Sequence, residues 1–205
     1  MPIAAAAVLF QLLGTCPVLA QASAPVSVYT STAEQDCRSE RPTRRAPEED
    51  GARRCPGPHG LFVFVAENDL RETVSVGRNR LNANRQPAAT QTFGPFNSTA
   101  TTVEWRGLKN RPPFALIQRW NIADNDDPDK GGRPQNKQLL VVIRLPPGPV
   151  CHVAYVDVKA NAHASELARK AADTARGFNC EKDKVRIEGN SGRAVQLALP
   201  QGGRS

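Results

Sequence analysis

The sequence has few aromatic residues and no apolar run long enough to span a bilayer. Phe, Trp and Tyr together make up 5% of the 205 residues, so Val, Ile and Leu must carry much of the core packing. A transmembrane helix needs about 20 consecutive apolar residues. Neither the apolar stretch at residues 4–13 nor any later one reaches that length, and we therefore expect no transmembrane segment.

The sequence also lacks the residue spacings that mark common catalytic and metal sites. It contains no HExxH, GxSxG or CxxC pattern and no phosphate-binding glycine loop. The acidic segment at residues 123–132 does not match a calcium loop, because Asp129 stands where glycine is needed and Gln135 where glutamate is needed. We predict no catalytic set, no metal ligands and no cofactor, and we interpret the acidic segment as a solvated hairpin tip.

Carboxylates are outnumbered, and the cationic excess lies outside the N-terminal segment. The net charge is +7, and residues 1–24 carry no charged side chain. A basic surface attracts anionic partners. We expect the partner to be an anionic component of the cell envelope, such as phospholipid or lipopolysaccharide, or another periplasmic protein. We do not expect nucleic acid, which an exported chain seldom meets, and a basic surface that serves solubility alone is the alternative.

The N-terminus fits a cleavable export signal. The apolar stretch is followed by small residues, and cleavage after Ala20 or Ala22 satisfies the small-residue rule, although no Lys or Arg precedes the stretch. Cys16 follows a sequence like a lipidation box, but Thr15 fits that box poorly, so we do not expect a lipoprotein. We predict a signal peptide at 1–22, one domain at 23–200, a disordered tail at 201–205, and a periplasmic or secreted location.

Four cysteines remain after the signal: Cys37, Cys55, Cys151 and Cys180. An even number in an exported chain indicates disulfides, and four cysteines allow three pairings. A strand from Cys151 would span about 26 Å at 3.3 Å per residue, and the following helix would span about 24 Å at 1.5 Å per residue. A helix that folds back therefore returns Cys180 to Cys151. This predicts Cys151–Cys180 and leaves Cys37–Cys55 to close an arginine-rich loop at 37–58.

Apolar periodicity predicts an α+β fold. Short alternating or continuous apolar runs indicate strands, and we expect an antiparallel sheet of about six to eight of them. Small and apolar side chains recur at helical spacing from Ala164 to Phe178, which predicts one helix over about 162–177 that covers the sheet, with Asn161 as its cap. The segments 185–189 and 194–199 are predicted to form a hairpin, and 78–100 a long loop. The predicted strands lie at 25–36 (its first part), 61–66, 70–77, 101–107, 113–122, 137–145 and 151–158.

Two groups of residues are candidates for function. Arg78, Arg80, Arg85, Arg106 and Arg111 could form a basic patch that binds anions, with Trp105 more suited to an inward position. His152 shares a strand face with Ala154 and Val156 and is the one candidate general base of a small hydrolase, with Glu104 or Asp157 as partner. A structural histidine is the simpler interpretation, because no nucleophile motif accompanies it.

Two segments carry a resemblance to a known group of proteins. With its CPGPHGLFVFVAENDLRETVSVG at 55–77 and CHVAYVDVKANAHASELARKAAD at 151–173, the chain resembles a group of small, uncharacterised exported proteins of Gram-negative bacteria. The resemblance covers most of the mature chain and implies a periplasmic location. It carries over no functional residue. Composition and resemblance together favour a non-catalytic binding or envelope-associated protein.

Overall fold

The computed structural model describes residues 23–40 and 52–199, and this part of the chain forms ten strands and three α-helices. The strands are β1 (Val26–Ser31), β2 (Arg38–Ser39), β3 (Arg53–Pro56), β4 (Phe62–Asn68), β5 (Arg71–Gly77), β6 (Asn97–Gly107), β7 (Ala115–Pro128), β8 (Pro134–Arg144), β9 (His152–Asp157) and β10 (Arg186–Ile187). The helices are α1 (Arg80–Asn84), α2 (Ala164–Asp173) and α3 (Arg193–Ala198). The α+β class is confirmed.

All ten strands belong to one mixed sheet. Its order is β10-β9-β8-β7-β6-β5-β4-β3-β2, with β1 paired to β6 beside this path. The expectation of six to eight purely antiparallel strands is wrong in detail, because β9–β10 and β5–β6 are parallel pairs. The sequence did not reveal β2 and β3, which are short and lie in the segment predicted as a loop, whereas β10 lies within the predicted strand at 185–189.

The sheet is nearly divided between β5 and β6. These strands share a single residue pair, Arg71 with Asn97, before they diverge. Side chains from β3, β4 and β5 nevertheless join those of β6 to β9 in one buried cluster, which includes Val63, Val74 and Trp120. The two halves of the sheet therefore pack against each other through this core rather than through a continuous hydrogen-bonded ladder.

Helix α2 covers the sheet, as predicted, and packs in a second buried cluster that is separate from the one with Val63, Val74 and Trp120. Its buried residues are all alanine, including Ala164, Ala168 and Ala172, so the helix lies close to the strands. A 3-10 turn at Ala175–Gly177 extends it. The predicted cap is wrong: the side chain of Asn161 donates to the backbone carbonyls of Asp157 and Asn190 instead.

The expected C-terminal hairpin is wrong. Residues 194–199 fall largely within helix α3, and β10 pairs in parallel with β9 instead of with a following strand. A six-residue apolar run does not distinguish strand from helix by itself. The deciding contact is distant in sequence, because Asp157 accepts hydrogen bonds from the backbone N–H groups of Ala194 and Val195 at 2.9 and 3.4 Å.

The segment 78–100 is not simply a loop. It contains helix α1, which begins after Asn79, whose side chain accepts a hydrogen bond from the Asn82 N–H. A 3-10 turn follows at Pro87–Thr90, and β6 already begins at Asn97. Short polar helices give no apolar stripe, so composition alone indicated a loop here.

Both predicted disulfides are confirmed. Cys151 and Cys180 are bonded with their Cα atoms 5.9 Å apart, and Cys37 and Cys55 with their Cα atoms 4.3 Å apart. The described ends of the 37–58 segment are more ordered than expected, since β2 and β3 pair within it and Cys55 is buried in the core. No helix of the described residues is long and apolar enough to cross a membrane. The predicted signal, Cys16 and tail lie outside the described residues.

Candidate functional site

His152 lies in an aromatic environment inside the core. Its ring is 5.7 to 6.1 Å from those of Phe93, Trp120 and Tyr155, and its Nδ1 is 2.9 Å from the Tyr155 hydroxyl. The Nε2 atom is buried without a hydrogen-bond partner in the described structure. Burial lowers the pKa of His152 to about 3 and raises that of Tyr155 above its ordinary value. Neither group is poised to exchange protons near neutral pH.

The two carboxylates proposed as partners of His152 are bound elsewhere. Glu104 accepts hydrogen bonds from Ser27 at 2.5 Å and from Arg169 at 2.6 Å. Asp157 accepts backbone hydrogen bonds, from α3 and from Ala160 at 3.0 Å. Among the described residues, no carboxylate hydrogen-bonds to His152, and nothing there favours the hydrolase hypothesis.

The Glu104 contacts belong to a network that joins β1 to α2. Arg106 donates to both carboxylate oxygens of Asp173 at 2.8 to 2.9 Å and to the Ser27 hydroxyl at 2.9 Å. Arg169 also donates to the Tyr29 hydroxyl at 3.1 Å. Arg106 is buried, so its charge is directed to Asp173 rather than to solvent, unlike the role proposed for it in a surface patch.

The acidic segment is a hairpin tip only at residues 129–132, because residues 123–128 belong to β7, and its first carboxylate, Asp124, is buried. Arg193 donates to Asp124 through Nε at 2.7 Å and also to Asp126 at 2.7 Å. Lys137 pairs with Asp127. The hydrogen bonds from Arg193 hold the pKa of Asp124 below its ordinary value. This cluster of three carboxylates and two cations fastens α3 to the β7–β8 hairpin.

The remaining arginines of the proposed patch lie around one end of the sheet. Strand β5 ends beside Arg78, whose guanidinium approaches Gly60 in the β3–β4 turn. Arg111 lies in the β6–β7 turn with Lys109, and Arg85 follows α1; all four cations are exposed. Arg80 lies in α1 and has interactions of its own. We call Arg78, Arg85, Lys109 and Arg111, with His59, the basic end.

An apolar groove opens at the basic end. It encloses about 220 Å³ between the start of β1, the β3–β4 turn and the β6–β7 turn. Val28 stands opposite Trp105 in the β1–β6 pairing and is 50% exposed. Gly57 is required beside the groove, because a Cβ there would lie 2.5 Å from the Trp105 ring. The lining residues are Val26, Val28, Pro58, His59, Trp105, Gly107, Leu108, Lys109, Asn110, Arg111 and Pro113.

Carboxylates are scarce in the segment that supplies most of the basic end. Residues 73–123, which supply most of the basic end, contain seven cationic side chains and one carboxylate, Glu104, and Glu104 is paired with Arg169. At the opposite end, ion pairs join Asp69 to Arg71, Asp129 to Arg133 and Asp127 to Lys137. Among the described residues, Arg78, Arg85, Lys109 and Arg111 have no such ion pair.

Sequence reasoning identified part of this site. It named Arg78, Arg85 and Arg111 but missed His59, Lys109 and the apolar wall of Val26 and Val28. A signal for the basic end was present, since no carboxylate occurs from residue 73 to 103. Trp105 lies inward as predicted, 1% exposed, with its indole N–H donating to Thr30 at 2.8 Å. In the described residues no group of three His, Cys, Asp or Glu side chains could hold a metal ion.

Comparisons with known proteins do not assign this chain to a family. A scan against protein-family models finds no matching family, and searches of curated proteins and of solved structures find no significantly similar chain.

Proposed function

We propose that this chain is a non-catalytic periplasmic protein that binds an anionic envelope component through its basic end. The observation that carries the proposal is the contrast between the two ends of the sheet. At the opposite end Asp69, Asp127 and Asp129 have cationic partners, whereas at the basic end Arg78, Arg85, Lys109 and Arg111 are exposed without an ion pair in the described structure. Unpaired clustered cations create a local positive potential that attracts anions.

The compartment in this proposal is supported by the two disulfides. Such bonds persist where the environment is oxidising, as in the bacterial periplasm, and are rare in the cytosol. The apolar N-terminal stretch and the small residues after it have the pattern of an export signal. A periplasmic protein with an exposed cationic end meets phosphate-bearing lipids as its most abundant polyanionic surface.

The proposal is tested by sedimentation with vesicles. Vesicles of phosphatidylglycerol and phosphatidylcholine in equal amounts should bind the oxidised mature chain, and pure phosphatidylcholine should not. Binding should weaken as salt is added, because dissolved ions screen the electrostatic attraction between the cationic side chains and the lipid phosphates. The variant Lys109→Glu/Arg111→Glu should bind about tenfold or more weakly, since each cation near an anionic surface contributes about 1 kcal/mol.

The matched control is Lys130→Glu/Lys159→Glu. It makes the same change of net charge with two exposed lysines that lie away from the basic end, and it should retain nearly all vesicle binding. Equal losses in the two double variants would mean that net charge alone governs the interaction. That result, or no binding to the anionic vesicles, would overturn the assignment of the basic end.

A further inference from the structure

We infer that the anionic component is a lipid whose phosphate lies among the cations of the basic end and whose acyl chain enters the groove. The inference rests on the proposed function, because it concerns the same surface. It goes further because it assigns an amphipathic ligand, with a charged headgroup and an apolar chain. Cationic side chains alone would bind any polyanion. The two halves of the ligand correspond to two kinds of groove residue.

The apolar half of the groove is built from residues that gain nothing from facing water. Val26 and Val28 are 39% and 50% exposed at the start of an edge strand, and Trp105, Leu108 and Pro113 complete the wall. An exposed concave surface with this lining is typical of a ligand site for an apolar group. A hydrated phosphate or a sugar would leave the exposed Val26 and Val28 without an apolar partner.

The charged half lies on the same rim. His59, Lys109 and Arg111 line the groove, and no carboxylate is among the lining residues that the structure describes. Arg78 approaches Gly60, one residue beyond His59. This charge complementarity favours an anion at the mouth of the groove, because the lysine and the arginine there meet no competing carboxylate among the described lining residues.

An independent feature of the same end fits a lipid surface. Leu81 in α1 is 55% exposed and lies in sequence between the exposed Arg78 and Arg85. An exposed leucine among cations is suited to the interface of an anionic bilayer, where apolar side chains enter the headgroup region and cations contact phosphate. A soluble acidic protein would not require that leucine.

The two tryptophans provide a direct test of chain insertion. Both indoles are buried, but Trp105 lies in the wall of the groove, whereas Trp120 lies in the core beside Phe93 and His152. Phosphatidylglycerol with a brominated acyl chain, in vesicles with phosphatidylcholine, should quench the fluorescence of the wild-type chain and of Trp120→Phe. The quenching should be largely lost in Trp105→Phe, which retains only the distant indole.

A second pair of variants keeps the test independent of the tryptophan substitutions. Val28→Asp places a carboxylate in the groove, and Tyr29→Asp places one on the other side of the same strand, where Tyr29 contacts Arg169. Val28→Asp should weaken binding of dodecyl phosphate, used below its micelle concentration, at least tenfold, and Tyr29→Asp should not. The wild type should bind dodecyl phosphate more than tenfold more tightly than inorganic phosphate, since burial of two methylenes accounts for about that factor.

The outcomes separate the inference from the proposed function. Salt-sensitive vesicle binding without quenching, together with equal effects of Val28→Asp and Tyr29→Asp, would leave an anion-binding surface but overturn the lipid groove. If an acidic peptide competes with vesicles for the protein and dodecyl phosphate does not, the groove belongs to a protein partner. That result would also overturn the lipid groove. No binding to anionic vesicles would remove both.

Discussion

At the scale of single residues, His152 has an unusual position. Its Nδ1 has the Tyr155 hydroxyl as a partner, but its Nε2 is buried without one in the described structure. A buried polar atom without a partner costs free energy, and a charged imidazolium there would cost much more. The core therefore depends on a histidine that stays neutral, and this dependence makes stability sensitive to acid.

The pH dependence of stability should show the burial of His152. Its pKa is about 3 in the folded chain and about 6.5 in an unfolded one. The unfolded state therefore binds more protons between these values, and stability falls as pH falls from 6.5 towards 3. Between pH 7 and pH 5 the wild type should lose about 2 kcal/mol more unfolding free energy than His152→Gln. Denaturant titrations at both pH values measure this, and equal losses would contradict it.

At the scale of secondary-structure elements, Asp157 holds the start of the C-terminal helix against the sheet. It stands at the end of β9 and accepts hydrogen bonds from the first N–H groups of α3, which have no partner inside the helix. Gly192 allows this approach, because a Cβ at that position would lie 2.5 Å from the Asp157 carboxylate. A strand residue thus performs the role that a local N-cap side chain performs in most helices.

Loss of this contact should be costly. Asp157→Ala removes an acceptor from buried N–H groups and should destabilise the chain by about 2 to 3 kcal/mol. Asp157→Asn keeps one side-chain oxygen and should cost less. Asp36→Ala, at an exposed position in a 3-10 turn, is the control and should cost less than about 0.5 kcal/mol. Chemical unfolding of the three variants gives the comparison, and similar values for all of them would exclude the proposed role.

Elements with local patterns were predictable and those fixed by distant contacts were not. The alanine stripe of α2 and the apolar run of β8 carry their own periodicity, and the Cys151–Cys180 bond follows from element lengths. Helix α3 depends on Asp157, which lies 37 residues before Ala194. The sequence places Arg106 in a surface patch because it does not show that Arg106 pairs with Asp173, which lies 67 residues away. The groove combines β1 with two turns that only the folded sheet brings together.

At the scale of the whole molecule, the distribution of charge gives the chain an orientation. The basic end lies where β1 and β4 begin and β5 and β6 end, and the paired carboxylates of the β4–β5 and β7–β8 turns lie at the other end of the same strands. Near an anionic surface such an arrangement produces a torque as well as an attraction. The bound protein should therefore present the β7–β8 hairpin to the solvent.

Chemical labelling of lysines can detect this orientation. Acylation by a water-soluble reagent on phosphatidylglycerol vesicles should modify Lys109 at least several-fold more slowly than in free protein. Lys130 and Lys159, both exposed, should react at nearly unchanged rates. Mass spectrometry of the digested chain gives each rate, and phosphatidylcholine vesicles are the control. Equal protection of the three lysines would contradict a single bound orientation.

The near division of the sheet between β5 and β6 has a consequence for how this chain can vary. A one-residue shift of register moves the apolar side chains of a strand to the other face of the sheet, and the hydrogen-bonded ladder transmits this constraint to the neighbouring strands. Here the ladder narrows to Arg71 and Asn97, and the two halves meet through side chains instead. A residue inserted in β4 should therefore change the strand pairing only among β2 to β5. The half of the sheet that carries α2 and α3 should keep its register while the sequence of the other half varies.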